Sequence, residues 1–188
     1  MLIYLDANIV QYCADYADLI CGGERGEAVP NVKLKAELLA LREIVEVALR
    51  AEEQDLDHRW DVAAPRHLLD ELLRGKPTSA QLEIYSNLQA AWEDLGVESH
   101  GEASAQLIGV VSNRLKTLNL HDAPDRRHLA EAIAMGAKWF LTLDEDILRK
   151  TRDKETEPGR IEDMIVVKPS ELRAKTAFDP VFGLRLRD

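Results

Sequence analysis

Cysteine is nearly missing from this chain. Cys13 and Cys21 are the only two among 188 residues, with no CxxC pair and no second cysteine cluster. That scarcity excludes a disulfide framework and a cysteine-built zinc site. Long apolar runs are absent too, and none approaches the roughly 20 residues needed to span a bilayer. The N-terminus has no basic stretch followed by an apolar one, and Asp6 falls where an export signal would be apolar. A cytoplasmic protein without a membrane segment is the expectation. Basic charge is also short. Lys and Arg number 24 against 34 Asp and Glu, a net charge of −10, which argues against nucleic-acid binding through a broad basic surface. A small basic patch beside an acidic site remains compatible with it.

What the chain does have is alternation. Leu2, Ile3, Tyr4 and Leu5 form a short apolar run of strand formers ending at Asp6, which reads as a strand buried on both faces. Val32 to Ala51 carries the period of a long amphipathic helix. Trp60 to Ala64 reads as a second strand. His67 to Arg74 and Thr78 to Asp94 read as helices, with a very short strand at Val97 to Ser99. A helix follows over Gln106 to Leu120, and another over Arg126 to Met135 that starts at Asp125 and stops at Gly136. Trp139 to Leu143 is a strand running into Asp144, and Glu145 to Thr151 a helix. Arg152 to Gly159 is a charged loop, Met164 to Val167 a last strand, and Ser170 to Arg173 a helical turn. Strands alternating with helices predict an α/β fold with a mainly parallel sheet, since no interval between these strands is a two-residue hairpin turn. Residues 1–175 form one domain and 176–188 a C-terminal tail.

Two of these strands end in aspartate, Asp6 and Asp144. Parallel strands present such ends at one edge, where α/β sheets bind ligands. Asp125 heads the helix leading into the second strand, and Asp70 and Glu71 lie early in the helix after the Trp60 strand. Each has a bland alternative. Asp6, Asp125 and Asp144 are also good helix caps, and Glu71 alone reads as a solvated helix residue. Like charges within about 4 Å repel by roughly 4 kcal/mol at an effective dielectric near 20, so a carboxylate cluster calls for basic neighbours or a metal. Oxygen ligands suit Mg²⁺ and disfavour zinc.

The wording of these segments resembles a known family. Asp6-Ala7-Asn8, Glu71-Leu72, Asp125-Arg126-Arg127-His128-Leu129-Ala130 and Thr142-Leu143-Asp144 are similar to the four signature segments of PIN-domain nucleases. The likeness runs from Leu2 to about Leu172. It implies a three-layer α/β/α sandwich with a mainly parallel central sheet, and a metal-dependent endoribonuclease using one or two Mg²⁺ or Mn²⁺ ions. Carried over by position, it implies that Asp6, Glu71, Asp125 and Asp144 are the catalytic acids. Asp6, Asp125 and Asp144 would hold metal, and Asn8, Thr142 and Asp146 would support them. It further implies an RNA substrate, and for many members a small antitoxin partner and a homodimer. The family's Ser or Thr shortly before its second acid is missing here, where Ala63, Ala64 and Pro65 stand, so Asp70 competes with Glu71.

His128 reads as a packed, hydrogen-bonded histidine rather than a general base. Arg149, Lys150, Arg152 and Lys154, with Arg126 and Arg127, are either a solvated charged face or phosphate contacts that position RNA without reading its sequence. Asp6→Asn and Asp144→Asn are each expected to abolish cleavage and to preserve or raise stability by relieving repulsion. Two other functions fit parts of the pattern. One is a PIN-like interaction or RNA-binding module of weak activity. The other is a phosphatase with Asp6 as nucleophile, against which Asn8 stands where a second Asp is usual.

Overall fold

A computed structural model describes residues 2–16, 19–20, 29, 31–50, 61–63, 79, 82, 105–118, 123–153, 157–179 and 183–186. The apolar opening run forms β1, Leu2–Leu5, buried throughout. It pairs in parallel on both sides, with β2 (Asp61–Ala63) and with β3 (Trp139–Leu141). Strand β3 pairs in parallel with β5 (Met164–Val167), and β4 (Gly159–Ile161) closes the edge antiparallel to β5. The order is β2-β1-β3-β5-β4. This is a mixed α/β fold around a five-stranded, mostly parallel sheet.

Helices α1 (Ala7–Asp15), α2 (Val32–Arg50), α3 (Ala105–Leu115), α4 (Ala123–Ala134), α5 (Glu145–Thr151) and α6 (Pro169–Lys175) accompany it among the described residues. Strand alternation sends successive side chains to opposite faces. Ile3, Leu5, Trp139, Leu141 and Val167 pack in one apolar cluster with Ile9, Val10 and Cys13 of α1, Leu38, Leu41 and Ile44 of α2, and Leu172 of α6. Leu2, Tyr4, Phe140, Met164 and Val166 pack in a second with Val111, Leu129, Ala132, Ile147 and Leu148 of α3 to α5. Each fully buried Ile, Leu or Phe contributes about 1.5–3 kcal/mol relative to exposure. The Tyr4 and Phe140 rings stack across the β1–β3 pair at 5.7 Å.

Several expectations shift in detail. Helix α4 starts at Ala123, two residues before Asp125, so Asp125 lies in its first turn rather than capping it. It closes at Gly136, whose φ of 75° is the left-handed turn that glycine adopts readily. Strand β3 stops at Leu141 instead of Leu143, because Thr142 turns its hydroxyl into the polar group described below. Strand β4 begins at the last residue of the charged loop, Gly159. It joins β5 through a two-residue turn, Glu162–Asp163, with Glu162 at φ 53°. Gly159 starts β4 tight against α5: a Cβ there would stand 2.1 Å from Thr151 Oγ1. The tail holds an antiparallel pair, β6 (Thr176–Asp179) with β7 (Gly183–Leu186). The helix expected over His67 to Arg74 and the strand at Val97 to Ser99 lie outside the described residues; of the helix expected over Thr78 to Asp94 only Ser79 and Leu82 are described, both helical. Among the described residues no helix is long and apolar enough to cross a membrane.

Candidate active site

The chain leaves β1 for β2 on one side and later returns to β3 on the other. The helix after β1 packs on one face and the helix after β3 on the opposite face. Neighbouring strands whose following helices diverge in this way leave a crevice between their carboxyl ends. Asp6 and Thr142 stand at that point, on adjacent strands, with Asp6 N donating to Leu141 O at 2.9 Å.

Asp6 is only 4% exposed, yet its carboxylate is well supplied with donors. Oδ1 accepts from Ala7 N at 2.8 Å, capping α1. Oδ2 accepts from Asn8 Nδ2 at 2.8 Å and from the Thr142 hydroxyl at 2.6 Å. His128 Nδ1, on α4, lies 3.4 Å from Oδ1. The same carboxylate therefore starts α1 and ties together the two strand ends.

Thr142 is fully buried and ties the group together. Besides donating to Asp6, its Oγ1 accepts from Asn8 Nδ2 at 3.1 Å and from Asp144 N at 3.0 Å. Asn8 closes the loop by accepting from Leu143 N at 3.2 Å. A buried polar group of this kind rigidifies its surroundings only when every member is satisfied, and here the hydroxyl and amide are. Asp144 caps α5: its Oδ1 accepts from Asp146 N at 2.7 Å and Ile147 N at 3.1 Å. Its Oδ2 makes no hydrogen bond among the described residues, and the side chain is half-buried.

Asp125 stands half-buried in the first turn of α4, one turn before His128. Glu71, like Asp70, is outside the described residues. Asp146 is otherwise engaged. Lys150 Nζ donates to its Oδ2 at 2.5 Å and Arg149 to its Oδ1. Lys150 first and Arg149 second hold its carboxyl below the usual carboxylate range. Both oxygens thus face cations of their own helix. Arg152 is committed as well, its Nη2 donating to both Glu171 oxygens at 2.6 and 2.7 Å. Arg126 is half-buried on α4, whereas Arg127 is exposed and makes no ion pair among the described residues.

One acidic residue was not foreseen. Glu131, on α4, is buried at 7% exposure beside Tyr4 of β1. Burial, then the Glu131 and Asp6 carboxylates, push the Tyr4 hydroxyl above the usual phenol range. The signal in the sequence was a tyrosine in a strand buried on both faces, because a buried phenol calls for a polar neighbour.

The donor set is all oxygen. Among the described residues Asp144 Oδ2 carries no hydrogen bond, and Asp6 Oδ1 accepts from Ala7 N with His128 Nδ1 at 3.4 Å. Two such carboxylates fit Mg²⁺ or Mn²⁺, which keep several waters and need few protein ligands. Among the described residues, however, no group of three or more His, Cys, Asp or Glu side chains is arranged to hold an ion. Compared with protein-family models, with curated proteins and with solved structures, the chain matches none.

Proposed function

We propose that this chain is a metal-dependent endoribonuclease of the PIN type. The observation that carries the reading is the group Asp6–Thr142–Asn8–Asp144 at the crevice between β1 and β3. It gathers two carboxylates and joins them through the hydroxyl of Thr142 and the amide of Asn8. The apolar clusters on the two faces of the sheet support the finer description of the fold, a three-layer α/β/α sandwich.

In this reading Asp6 and Asp144 hold the ion, with Asp125 and Glu71 completing the acidic set. One or two Mg²⁺ or Mn²⁺ ions, when bound, would supply a water of lowered pKa as the attacking group. The residues themselves do the positioning. Thr142 and Asn8 hold the Asp6 carboxylate in one rotamer, with Oδ1 between Ala7 N and the His128 ring. The α5 amides hold Asp144 Oδ1, which leaves Oδ2 as the ligand. Arg127, exposed on α4 immediately before His128, is the basic residue best placed to meet a phosphate. Arg126, Arg149, Lys150 and Arg152 contribute field more than direct contact. A toxin role with a small antitoxin partner, and a homodimer, are parts of the same proposal.

A second reading has an observation of its own. Three hydrogen bonds already satisfy much of the Asp6 carboxylate, and two carboxylates alone make a weak site. That arrangement suits a PIN-like module that binds RNA or a partner with little catalysis. A Mn²⁺-dependent cleavage assay on structured RNA separates the two readings. Cleavage by the wild type that is lost in Asp144→Asn supports the nuclease. No cleavage, together with no metal-dependent shift in melting, leaves the binding module.

A further inference from the structure

Strands β1, β3 and β5 run parallel, and Leu5, Leu141 and Val167 are register partners in one row across them. The residues that follow, Asp6, Thr142 and Lys168, form the next row at the carboxyl edge. The backbone ladder continues into it, since Asp6 N donates to Leu141 O at 2.9 Å and Thr142 N to Val167 O at 3.1 Å. Neighbouring strands stand about 4.8 Å apart, which puts the Lys168 backbone roughly 10 Å from that of Asp6. Members of one row face the same side of a sheet. The Lys168 side chain agrees with this, because its Nζ donates at 2.6 Å to Oε1 of Glu145, the first residue of α5. A cation thus takes the third place in the row that holds Asp6 and Thr142, beside the residue that follows Asp144.

The cations near this edge are not equally committed. Arg149 and Lys150 share the Asp146 carboxylate. Arg152, with a side chain only 13% exposed, grips both oxygens of Glu171. Glu171 also accepts from Lys168 N at 2.9 Å. Among the described residues the Lys168 ammonium is held by one carboxylate alone, that of Glu145, whose side chain is 77% exposed. An ion pair this open to water contributes little to stability. Exchanging Glu145 for a phosphate oxygen, which forms a strong charge-assisted bond, therefore costs little.

We propose that Lys168 binds a backbone phosphate of the RNA on the β5 side of the crevice, and that Glu145 holds its ammonium there until the strand arrives. The phosphate takes the place of the carboxylate, and no covalent bond changes. Lysine meets phosphate as a point charge, so the contact positions the strand without reading its sequence. The inference rests on RNA being the substrate in the reading above, and it adds a second phosphate contact to that of Arg127.

The test measures binding of a labelled single-stranded RNA oligonucleotide in chelator over a range of salt, with Mn²⁺-dependent cleavage followed separately. Lys168→Gln is expected to bind about fivefold more weakly, with a salt slope smaller by about 0.7, the value for one phosphate on a single strand. Lys168→Arg keeps the charge and should stay near wild type. Glu145→Gln frees the lysine and should bind about threefold more tightly, a gain that should vanish when Lys168→Gln is also present. Each variant should melt close to wild type, as expected for an exposed pair. A pair that only ties α5 to β5 would leave RNA affinity and its salt slope unmoved in Lys168→Gln, and that result overturns the proposal. An equal gain from Glu145→Gln with and without Lys168 overturns the exchange of partners. Cleavage by the wild type with unmoved Lys168→Gln binding refutes the phosphate contact alone. Binding that depends on Lys168 without any cleavage refutes the nuclease and keeps the contact, while a wild type that binds no RNA refutes both.

Discussion

Asp6→Asn and Asp144→Asn look equivalent on paper, yet the hydrogen bonds around them predict different results. In the wild type, Asp6 Oδ1 accepts from Ala7 N, and Oδ2 accepts from Asn8 Nδ2 and Thr142 Oγ1. If the new amide nitrogen takes the place of Oδ2, it confronts the Asn8 amide donor. Thr142 cannot readily accept from it, because its oxygen already receives Asn8 Nδ2 and Asp144 N. If the nitrogen takes the place of Oδ1, Ala7 N loses its cap. In either orientation a bond to a charged acceptor is lost, about 1.5–3 kcal/mol, and the remaining bonds lose their charge assistance. A loss of about 2–3 kcal/mol corresponds, at about 2–4 °C per kcal/mol for a chain of this size, to roughly 4–12 °C in Tm. Asp144→Asn can keep both α5 amides on its remaining oxygen and put the nitrogen where Oδ2 has no partner. Its change should stay within about 1 kcal/mol, the scale of a charge at a helix N-terminus. Thermal and urea unfolding in chelator, followed by Mn²⁺-dependent RNA cleavage, tests both sites. Cleavage should vanish in both variants, while only Asp6→Asn loses stability. Equal melting of Asp6→Asn and wild type would refute the claim that the Thr142–Asn8 group holds this carboxylate. Normal cleavage by either variant would refute the metal assignment. The expectation that both substitutions preserve stability, drawn from repulsion between carboxylates, thus gives way at Asp6 to the donors around it.

Tyr4 should make the fold sensitive to alkali. Its folded pKa is raised, so its contribution is complete below the unfolded phenol value of about 10 and is lost as pH rises above it. Tm should fall between mildly and strongly alkaline buffers, and Tyr4→Phe should flatten that fall; an identical slope would refute it. Arg152→Ala should cost about 1–2 kcal/mol in urea unfolding by releasing Glu171. Arg152→Lys should recover little of that, since lysine lacks the guanidinium fork. Arg127→Glu should weaken RNA binding and reduce the salt slope by about one. Arg149→Glu should do less, because Arg149 is already paired with Asp146; the reverse order would move the RNA path to α5.

The parts of this fold legible in the sequence are those where local chemistry and tertiary context agree. Leu2–Leu5 and Met164–Val167 are apolar runs that end at clear breaks, and Glu145–Thr151 is a helix capped by the Asp before it. Parallel neighbours must deliver their ends to one edge, which is why strand-end logic paired Asp6 with Asp144; Asn8 and Thr142, supplied by the family likeness, hydrogen-bond between them. The legibility of Asp125 was partial. As a capping residue it marked a helix start, but Pro124, well suited to an early helical position, already lay inside that helix. Strand β4 was hidden by its length, three residues, and by a turn without the Gly or Asn that usually announces a hairpin. Asp146, Arg149 and Lys150 looked like site and substrate contacts, yet their spacing of three and four along α5 also brings them onto one another. Glu131 was hidden for the opposite reason. A glutamate in an alanine-rich helix looks solvated until the tyrosine facing it is known.

The hydrogen bonds from Thr142 to Asp6 and from Asn8 to Thr142 join residues 136 and 134 positions apart. Strand β1 leaves the ribosome well before its neighbour β3. At about 5–20 residues per second of synthesis, roughly 7–27 s pass between the two. Through that interval Asp6 has only its local partners in α1, and the edge that collects the carboxylates does not exist. The polar group is therefore a late-closing clasp, and a nascent or C-terminally truncated chain lacking β3 carries the first half of the site without the second.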